Sequence, residues 1–218
     1  MSIVVRTLSD QVLEIVRNRI VSGELPTDSV IRQDALAGEL GVSKIPLREA
    51  LARLEQEGLL TSQANRGYSI RPMSFEAAEE IYELRLDMEP RAAGRGALLA
   101  NEAEQAEAVA AFEALDKATQ GDGSDIARCN RDFHMALVRP SHRPLTLRLI
   151  EQLAYQAERY VVAHLQPAGR EDRAHLEHRE MLDAWLARDE QRTADLLTGH
   201  IHDTLDDLRA ELGTPAQA

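Results

Sequence analysis

The sequence predicts a mainly α-helical chain in two parts: three helices closed by a β-hairpin, then an all-α bundle of about six helices. Three observations predict it. Aromatic residues are only 4% of the 218, hydrophobic residues are 44%, and alanine and leucine are abundant, a composition that leans towards helix. Apolar residues recur at helical spacing through most of the chain. One stretch, GLLTSQANRGYSIR (58–71), alternates instead and has the turn chemistry of a hairpin.

Charge divides the chain where the patterns change. The formal net charge is −12, yet residues 1–72 hold 9 basic and 9 acidic side chains. The remainder holds 16 basic against 28 acidic, and all seven histidines lie beyond position 130. Domains of 1–72 and 73–218 are therefore expected, with different tasks. A neutral module with a local basic face is compatible with a polyanionic partner, whereas a uniformly acidic chain would repel one. No apolar run approaches the roughly 20 residues a bilayer span needs, so no membrane partner is expected. The start MSIVVRTLSD carries none of the marks of a signal peptide, and the single Cys129 allows no intrachain disulfide. A reducing cytoplasm fits this usage.

The first helix is expected over Leu8–Val21, with Leu8, Val12, Ile15, Val16 and Ile20 as its apolar stripe and Gly23 and Pro26 ending it. The second covers about 33–40, with Ala35, Leu36, Ala37 and Leu40 apolar, and Gly41 makes the turn. Ser43 is a good N-cap for the third, since its hydroxyl can accept a first-turn backbone N–H. Leu47, Ala50, Leu51 and Leu54 form its buried stripe, Pro46 sits in its first turn, and Gly58 closes it. Asn65 and Gly67 supply the hairpin turn. Pro72 and Ser74 mark the boundary. Helices then follow at about 74–100, 102–120, 124–139, 144–166, 170–187 and 190–211, with Pro90 expected to kink or interrupt the first. Breaks fall at Asn101, Gly121 with Gly123, Pro140 to Pro144, Pro167 with Gly169, and Asp189.

Three helices and a hairpin in this order match a winged helix-turn-helix, whose third helix enters the DNA major groove. Its outward face carries Lys44 and Arg48, one turn apart and opposite the leucine stripe. Arginine suits guanine edges or phosphate. Ser43 at the helix start and Arg66 at the hairpin tip are placed to reach the DNA backbone. Taken singly, two basic residues on a helix are usually a solvated face; the whole arrangement gives them weight.

These residues resemble a known family. The run GELPTDSVIRQDALAGELGVSKIPLREALARLEQEGLLTSQANRGYSIR is similar to the DNA-binding part of the GntR family of bacterial regulators over about residues 8–71. The resemblance implies DNA contacts at Ser43, Lys44, Arg48, Arg66 and Gly67. Lys44 stands where the family usually has Arg, which weakens bidentate base readout there. Thr27 stands for the usual Gly after Pro26, away from the DNA face.

The second half carries a histidine pattern. Ile126, Cys129, Phe133 and Leu137 form a stripe on one helix, and Asn130 and His134 share it one turn apart. His178 accompanies Met181, Leu182 and Trp185; His200 accompanies Leu197 and Ile201. Antiparallel packing of the last two helices would bring His178 and His200 together. Neutral imidazoles inside a bundle are good ligands for Zn or Ni, although a histidine on an apolar stripe is more often a core residue with one hydrogen bond.

EIYELRLDMEPRAAGRGA, NRDFHMAL and EHREMLDAWLARDEQRTADLLTGHI resemble the FCD domain of FadR-type GntR regulators over about 74–210. Many such domains bind a divalent metal through an Asp and three His, and a small organic acid beside it. The resemblance implies His134, His178 and His200 as ligands, with Asn130 at the Asp position, where its carbonyl oxygen brings no charge. SHRPL also departs from the family's usual Gly-Asn-Pro. Arg85, on the stripe Ile81, Leu84, Arg85, Met88, is either a salt bridge to a bundle glutamate or a clamp for a ligand carboxylate. Tyr155 and Arg159 are further candidates for that effector, with Arg148 nearby in sequence.

The resulting expectation is a homodimeric, effector-controlled transcription regulator, a repressor acting on double-stranded operator DNA and not an enzyme. Two rivals make different predictions. A metal-dependent, hydrolase-like bundle would use the histidines to activate water, but no general base stands beside them and the first domain would be unexplained. A DNA binder with a purely structural His core would need neither metal nor effector.

Overall fold

The computed structural model describes residues 6–63, 67–121, 125–165 and 170–212. The chain falls into two compact units, dividing after Met73.

In the first unit, α1 (Leu8–Val21) opens on a capping box: the Thr7 hydroxyl accepts from the Asp10 backbone N–H at 3.1 Å, and the Asp10 carboxylate accepts from the Thr7 N–H at 3.0 Å. Val12, Leu13, Val16 and Ile20 are buried. Leu8 and Ile15, expected on the buried stripe, are 52% and 43% exposed. The stripe is rotated from its expected position, and Arg17 lies inside it, making a two-pronged ion pair with Glu57 at 2.7 and 3.1 Å. That pair ties α1 to the end of α3 (Lys44–Gln56). Between them, α2 (Gln33–Leu40) stops at Gly41, whose φ of 65° is the left-handed value that glycine takes without strain.

Leu47, Ala50, Leu51 and Leu54 are each fully buried, as their spacing predicts. Strands β1 (Leu60–Gln63) and β2 (Gly67–Ile70) pair antiparallel in the register Leu60↔Ile70. The segment before α2 joins the sheet edge, with Ile31 N–H donating to the Tyr68 carbonyl at 2.8 Å. Asn65 and Arg66 lie outside the described residues.

The second unit contains α4 (Phe75–Leu99), α5 (Glu102–Thr119), α6 (Ile126–Val138), a 3-10 turn (Arg139–Ser141), α7 (Pro144–Leu165), α8 (Arg170–Leu186) and α9 (Glu190–Leu212). Ser74 caps α4, and Asn101 caps α5 in a capping box with Glu104. Gly123, Pro167 and Gly169, expected as breakers, lie outside the described residues.

Pro90 does not interrupt α4, which runs continuously through it. The lost N–H costs one hydrogen bond, but α4 is the central helix, packed on α6, α7 and α9, and its small residues make that packing close. Ala92, Ala93, Gly94, Gly96 and Ala97 are buried there. Trp185 crosses beneath, its indole N–H donating to the Leu137 carbonyl at 3.1 Å.

Candidate DNA-contacting face and candidate metal centre

The outward face of α3 is exposed at Lys44, Ile45 and Arg48, opposite the four buried positions. Lys44 Nζ lies 2.5 Å from Asp34 Oδ1, a pair so exposed that it holds little energy. Arg48 has no ion-pair or hydrogen-bond partner among the described residues. Ser43 occupies the N-cap position with extended backbone, but its hydroxyl makes no capping bond, contrary to expectation. The reason is local: the third residue of the helix is Pro46, which has no N–H to give. Ser43 is exposed at the helix start, where its uncommitted hydroxyl and the helix N-terminus can meet a phosphate oxygen.

Gly67 has φ +83°. An open depression of about 620 Å³ is bounded by Arg32, Gln33, Asp34, Lys44, Arg48 and Gly67. Arg32 and Gln33 were not singled out by sequence; their only local signal is their place at the start of α2. Arg66 lies outside the described residues.

In the helical unit, three helices bring their histidines together. The ligand nitrogens of His134 on α6, His178 on α8 and His200 on α9 all lie within 4.8 Å of one another. His134 Nε2 and His178 Nε2 are 3.4 Å apart, and the His178 and His200 ring centroids are 4.6 Å apart. Burial pushes the imidazole pKa down at His134, against the pull of Glu89. At His178 burial pushes it well down, with His200 and His134 adding to the effect. Both rings are therefore held neutral with lone pairs to offer.

The surroundings orient them. His200 Nδ1 lies 2.7 Å from Glu177 Oε2. His134 Nδ1 faces Glu89 Oε2 at 3.7 Å, too far for a hydrogen bond, and is a buried polar atom without a partner. Glu89 also receives Arg85, Nε to Oε1 at 2.6 Å and Nη2 to Oε2 at 3.2 Å. Burial alone would raise the Glu89 carboxyl, but Arg85 and His134 outweigh it and hold it at about 2. Of the two roles open to Arg85, the structure shows the glutamate salt bridge, and it also places the side chain on a cavity wall.

That cavity, about 30 Å³, is shared by Arg85, Asn130, His178 and His200 with Tyr82 and Thr204. The Tyr82 hydroxyl is buried without a hydrogen-bond partner, and burial pushes its pKa up to about 12. Phe112, Leu115, Ile126, Val161 and Ile201 supply the apolar side. Tyr155 and Arg159 are not among the lining residues: the Arg131 guanidinium stacks on the Tyr155 ring at 4.6 Å, and Arg159 is buried on α7. Sequence reading missed Tyr82, Glu89 and Glu177. Tyr82 and Glu89 stand three residues before and four after Arg85, a spacing that places them on one helix face. Nothing local marks Glu177.

Three imidazoles from three helices, two of them held neutral by burial, suit a borderline divalent ion such as Zn or Ni. His134, His178 and His200 would hold it, with Asn130 on the same wall. Such an ion supplies Lewis acidity and an anchor for an anionic oxygen.

Comparison with known proteins gives the same division. The model of the bacterial regulatory proteins of the gntR family matches residues 8–70, and the FCD domain matches 80–203. The chain is 31% identical to the uncharacterized HTH-type transcriptional regulator BphR of Paraburkholderia xenovorans (strain LB400), over 94% of this chain and 86% of that protein. It is 29% identical to the probable D-xylose utilization operon transcriptional repressor of Paenarthrobacter nicotinovorans, covering 89% and 86%. Among solved structures, E. coli McbR/YncC has the same fold at TM-score 0.80 and 22% identity, covering 94% of this chain and 98% of that one. Among the described residues no helix is long and apolar enough to cross a membrane.

Proposed function

The chain belongs to the GntR family of bacterial DNA-binding transcription regulators, with an FCD domain behind its winged helix and no place among enzymes, and from that premise we propose that it is a cytoplasmic, homodimeric repressor released from its operator by a small organic acid. The convergence of His134, His178 and His200, the last two lining a cavity that also holds Arg85, carries the reading. A divalent metal on the three histidines, with Asn130 beside it, and the Arg85 guanidinium together form a receptor for a carboxylate. Repression is supported by the one similar probable repressor named above and by one further relative, the transcriptional repressor GlaR of Escherichia coli, 28% identical.

A cavity of about 30 Å³ holds only one or two water-sized species, so an organic acid enters only if the walls move. That requirement gives the effector different affinities for two states of the domain, which is what coupling to DNA affinity needs. The DNA contacts are Ser43, Lys44, Arg48, Arg66 and Gly67, two sets per dimer, on a near-palindromic operator.

Two experiments test this. Binding sites are first mapped genome-wide and one is used in fluorescence anisotropy. Arg48→Ala is expected to weaken binding by about 1–3 kcal/mol and to relax preference at one base position. Lys44→Ala is expected to weaken all sequences alike and to lower the salt slope by about 1. Unchanged operator binding by Arg48→Ala would refute the recognition face. For the second unit, protein prepared without a metal-affinity tag is analysed for metal. Zn or Ni is expected to raise the melting temperature of chelator-treated protein, and His178→Ala to abolish the shift. Absence of both metal and shift would leave a purely structural His core.

A further inference from the structure

Ile45 is 70% exposed, the most of any large apolar side chain among the described residues. Isolated apolar residues on a protein surface usually need no explanation. This one has a particular place. It is the second residue of α3, between Lys44 and Pro46. At roughly 100° per residue, it falls within about 10° of the direction opposite the centre of the Leu47, Ala50, Leu51 and Leu54 stripe. Lys44 and Arg48 stand to one side of it and Glu49 to the other, all three exposed. Ile45 therefore forms the crest of the helix at its N-terminal end, the end that meets base edges in a helix-turn-helix.

The unit itself makes no use of this side chain. Its core is filled by other residues, and isoleucine is a poorer helix former than alanine or leucine. Neither packing nor helix propensity accounts for an isoleucine here. Lys44 and Arg48 have long side chains with polar ends, which can reach phosphates or guanine edges from the flank. Ile45 is short and has neither donor nor acceptor. It can meet only what lies directly beneath the helix, and it gains only from an apolar surface. The apolar group that bases present in the major groove is the 5-methyl of thymine. Isoleucine in a helix also keeps one strongly preferred rotamer, so holding it against a methyl group costs little ordering entropy.

We propose that Ile45 is a specificity-determining residue that packs on the 5-methyl group of one thymine in each operator half-site. The inference rests on the recognition-face reading above and adds a base identity to it. Within one turn of helix, Arg48 and Ile45 then read by different physics, one by hydrogen bonds and the other by apolar contact.

Fluorescence anisotropy with duplexes of the mapped operator tests it. Each thymine position is replaced in turn, in both half-sites, by deoxyuridine, which removes the methyl group and leaves the pairing edge unchanged. At one position the wild type is expected to bind about fourfold more weakly per half-site, roughly the worth of one buried methyl group, and so about fifteenfold for the symmetric duplex. Ile45→Ala is expected to bind the thymine and deoxyuridine duplexes alike at that position. Ile45→Val, which keeps a branched apolar side chain, is expected to retain most of the preference. A wild type that binds every deoxyuridine duplex as tightly as the parent would overturn the proposal. So would an Ile45→Ala protein that keeps the full thymine preference, because the methyl group would then act through the shape of the DNA. The wild-type measurement needs no variant, so the test stays decisive if Ile45→Ala fails to fold. Failure of the underlying reading looks different: Arg48→Ala would leave operator binding intact, or the wild type would bind no duplex specifically.

Discussion

Replacing Glu89 by alanine is expected to cost the helical domain about 3–5 kcal/mol, because it leaves the Arg85 guanidinium buried without its counter-charge. Glu89 is 1% exposed and Arg85 5%, so water cannot take over. The loss is measured by urea unfolding followed by circular dichroism. Replacing both residues by leucine is expected to recover most of that stability, since the cost lies in the uncompensated charge and not in the pair. The double variant then separates structure from recognition: it should fold, yet lose any response to a carboxylate effector. If Glu89→Ala unfolds at the wild-type midpoint, the pair is not what holds this part of the core.

The same carboxylate predicts a pH dependence. Its folded pKa, about 2, lies below the ordinary 4.5, so it binds fewer protons folded than unfolded. Its contribution is therefore complete above about pH 4.5 and disappears as the pH falls towards 2. The neutral His134 and His178 act in the same direction at higher pH. Both imidazoles are pushed below 6.5, so their contribution begins to fall once the pH drops through that value. Metal-free protein is thus expected to lose stability in two steps on acidification, histidines first.

Replacing Gly96 by alanine is expected to be comparably severe. A Cβ at this position would lie 2.2 Å from the Leu137 carbonyl oxygen and 3.4 Å from Trp185 Nε1. The obstruction is backbone, so α4 and α6 must separate. The Trp185–Leu137 hydrogen bond, and the seat of His134 three residues earlier on α6, move with them. A cost of about 3 kcal/mol is expected, at the upper end of ordinary overpacking. Gly199 in α9 is the control, because a Cβ there meets nothing within 4 Å. Alanine at 199 should stabilise by about 0.5–1 kcal/mol through helix propensity alone. Opposite signs for the same chemical change test the packing directly.

How far each site was legible follows from how local its signals are. Lys44 and Arg48 could be placed because a helix period fixes which residues oppose Leu47, Ala50, Leu51 and Leu54. Ser43 was placed correctly as the N-cap but not in its bonding, since Pro46 withdraws the donor it would have used. The α1 stripe was displaced because Leu8 and Ile15 have the right spacing but stand on its edge, and a buried Arg17 does not look apolar. Pro90 does not interrupt α4 for a related reason: its local cost is real, but the close packing of α4 outweighs it. Tyr155 and Arg159 share α7 with residues that do reach the cavity wall, such as Val161, and spacing alone cannot say which face of that helix turns inwards.

The sequence by itself determined the helix periods, the hairpin, the family, and the stripes that carry His134, His178 and His200, because each is written in neighbours a few residues apart. Only the tertiary structure decided that the three histidines meet, that Glu89 sits between Arg85 and His134, and that Gly96 is a point of near-contact between helices. Apart from Arg85 and Glu89, four residues apart on one helix, those facts join residues 20 to 90 positions apart in sequence, on helices whose rotation is set by the packing of the whole core. The winged-helix face depends on one helix and its period alone places it; the histidine centre depends on three, and only the family resemblance, not spacing, pointed to all three beforehand.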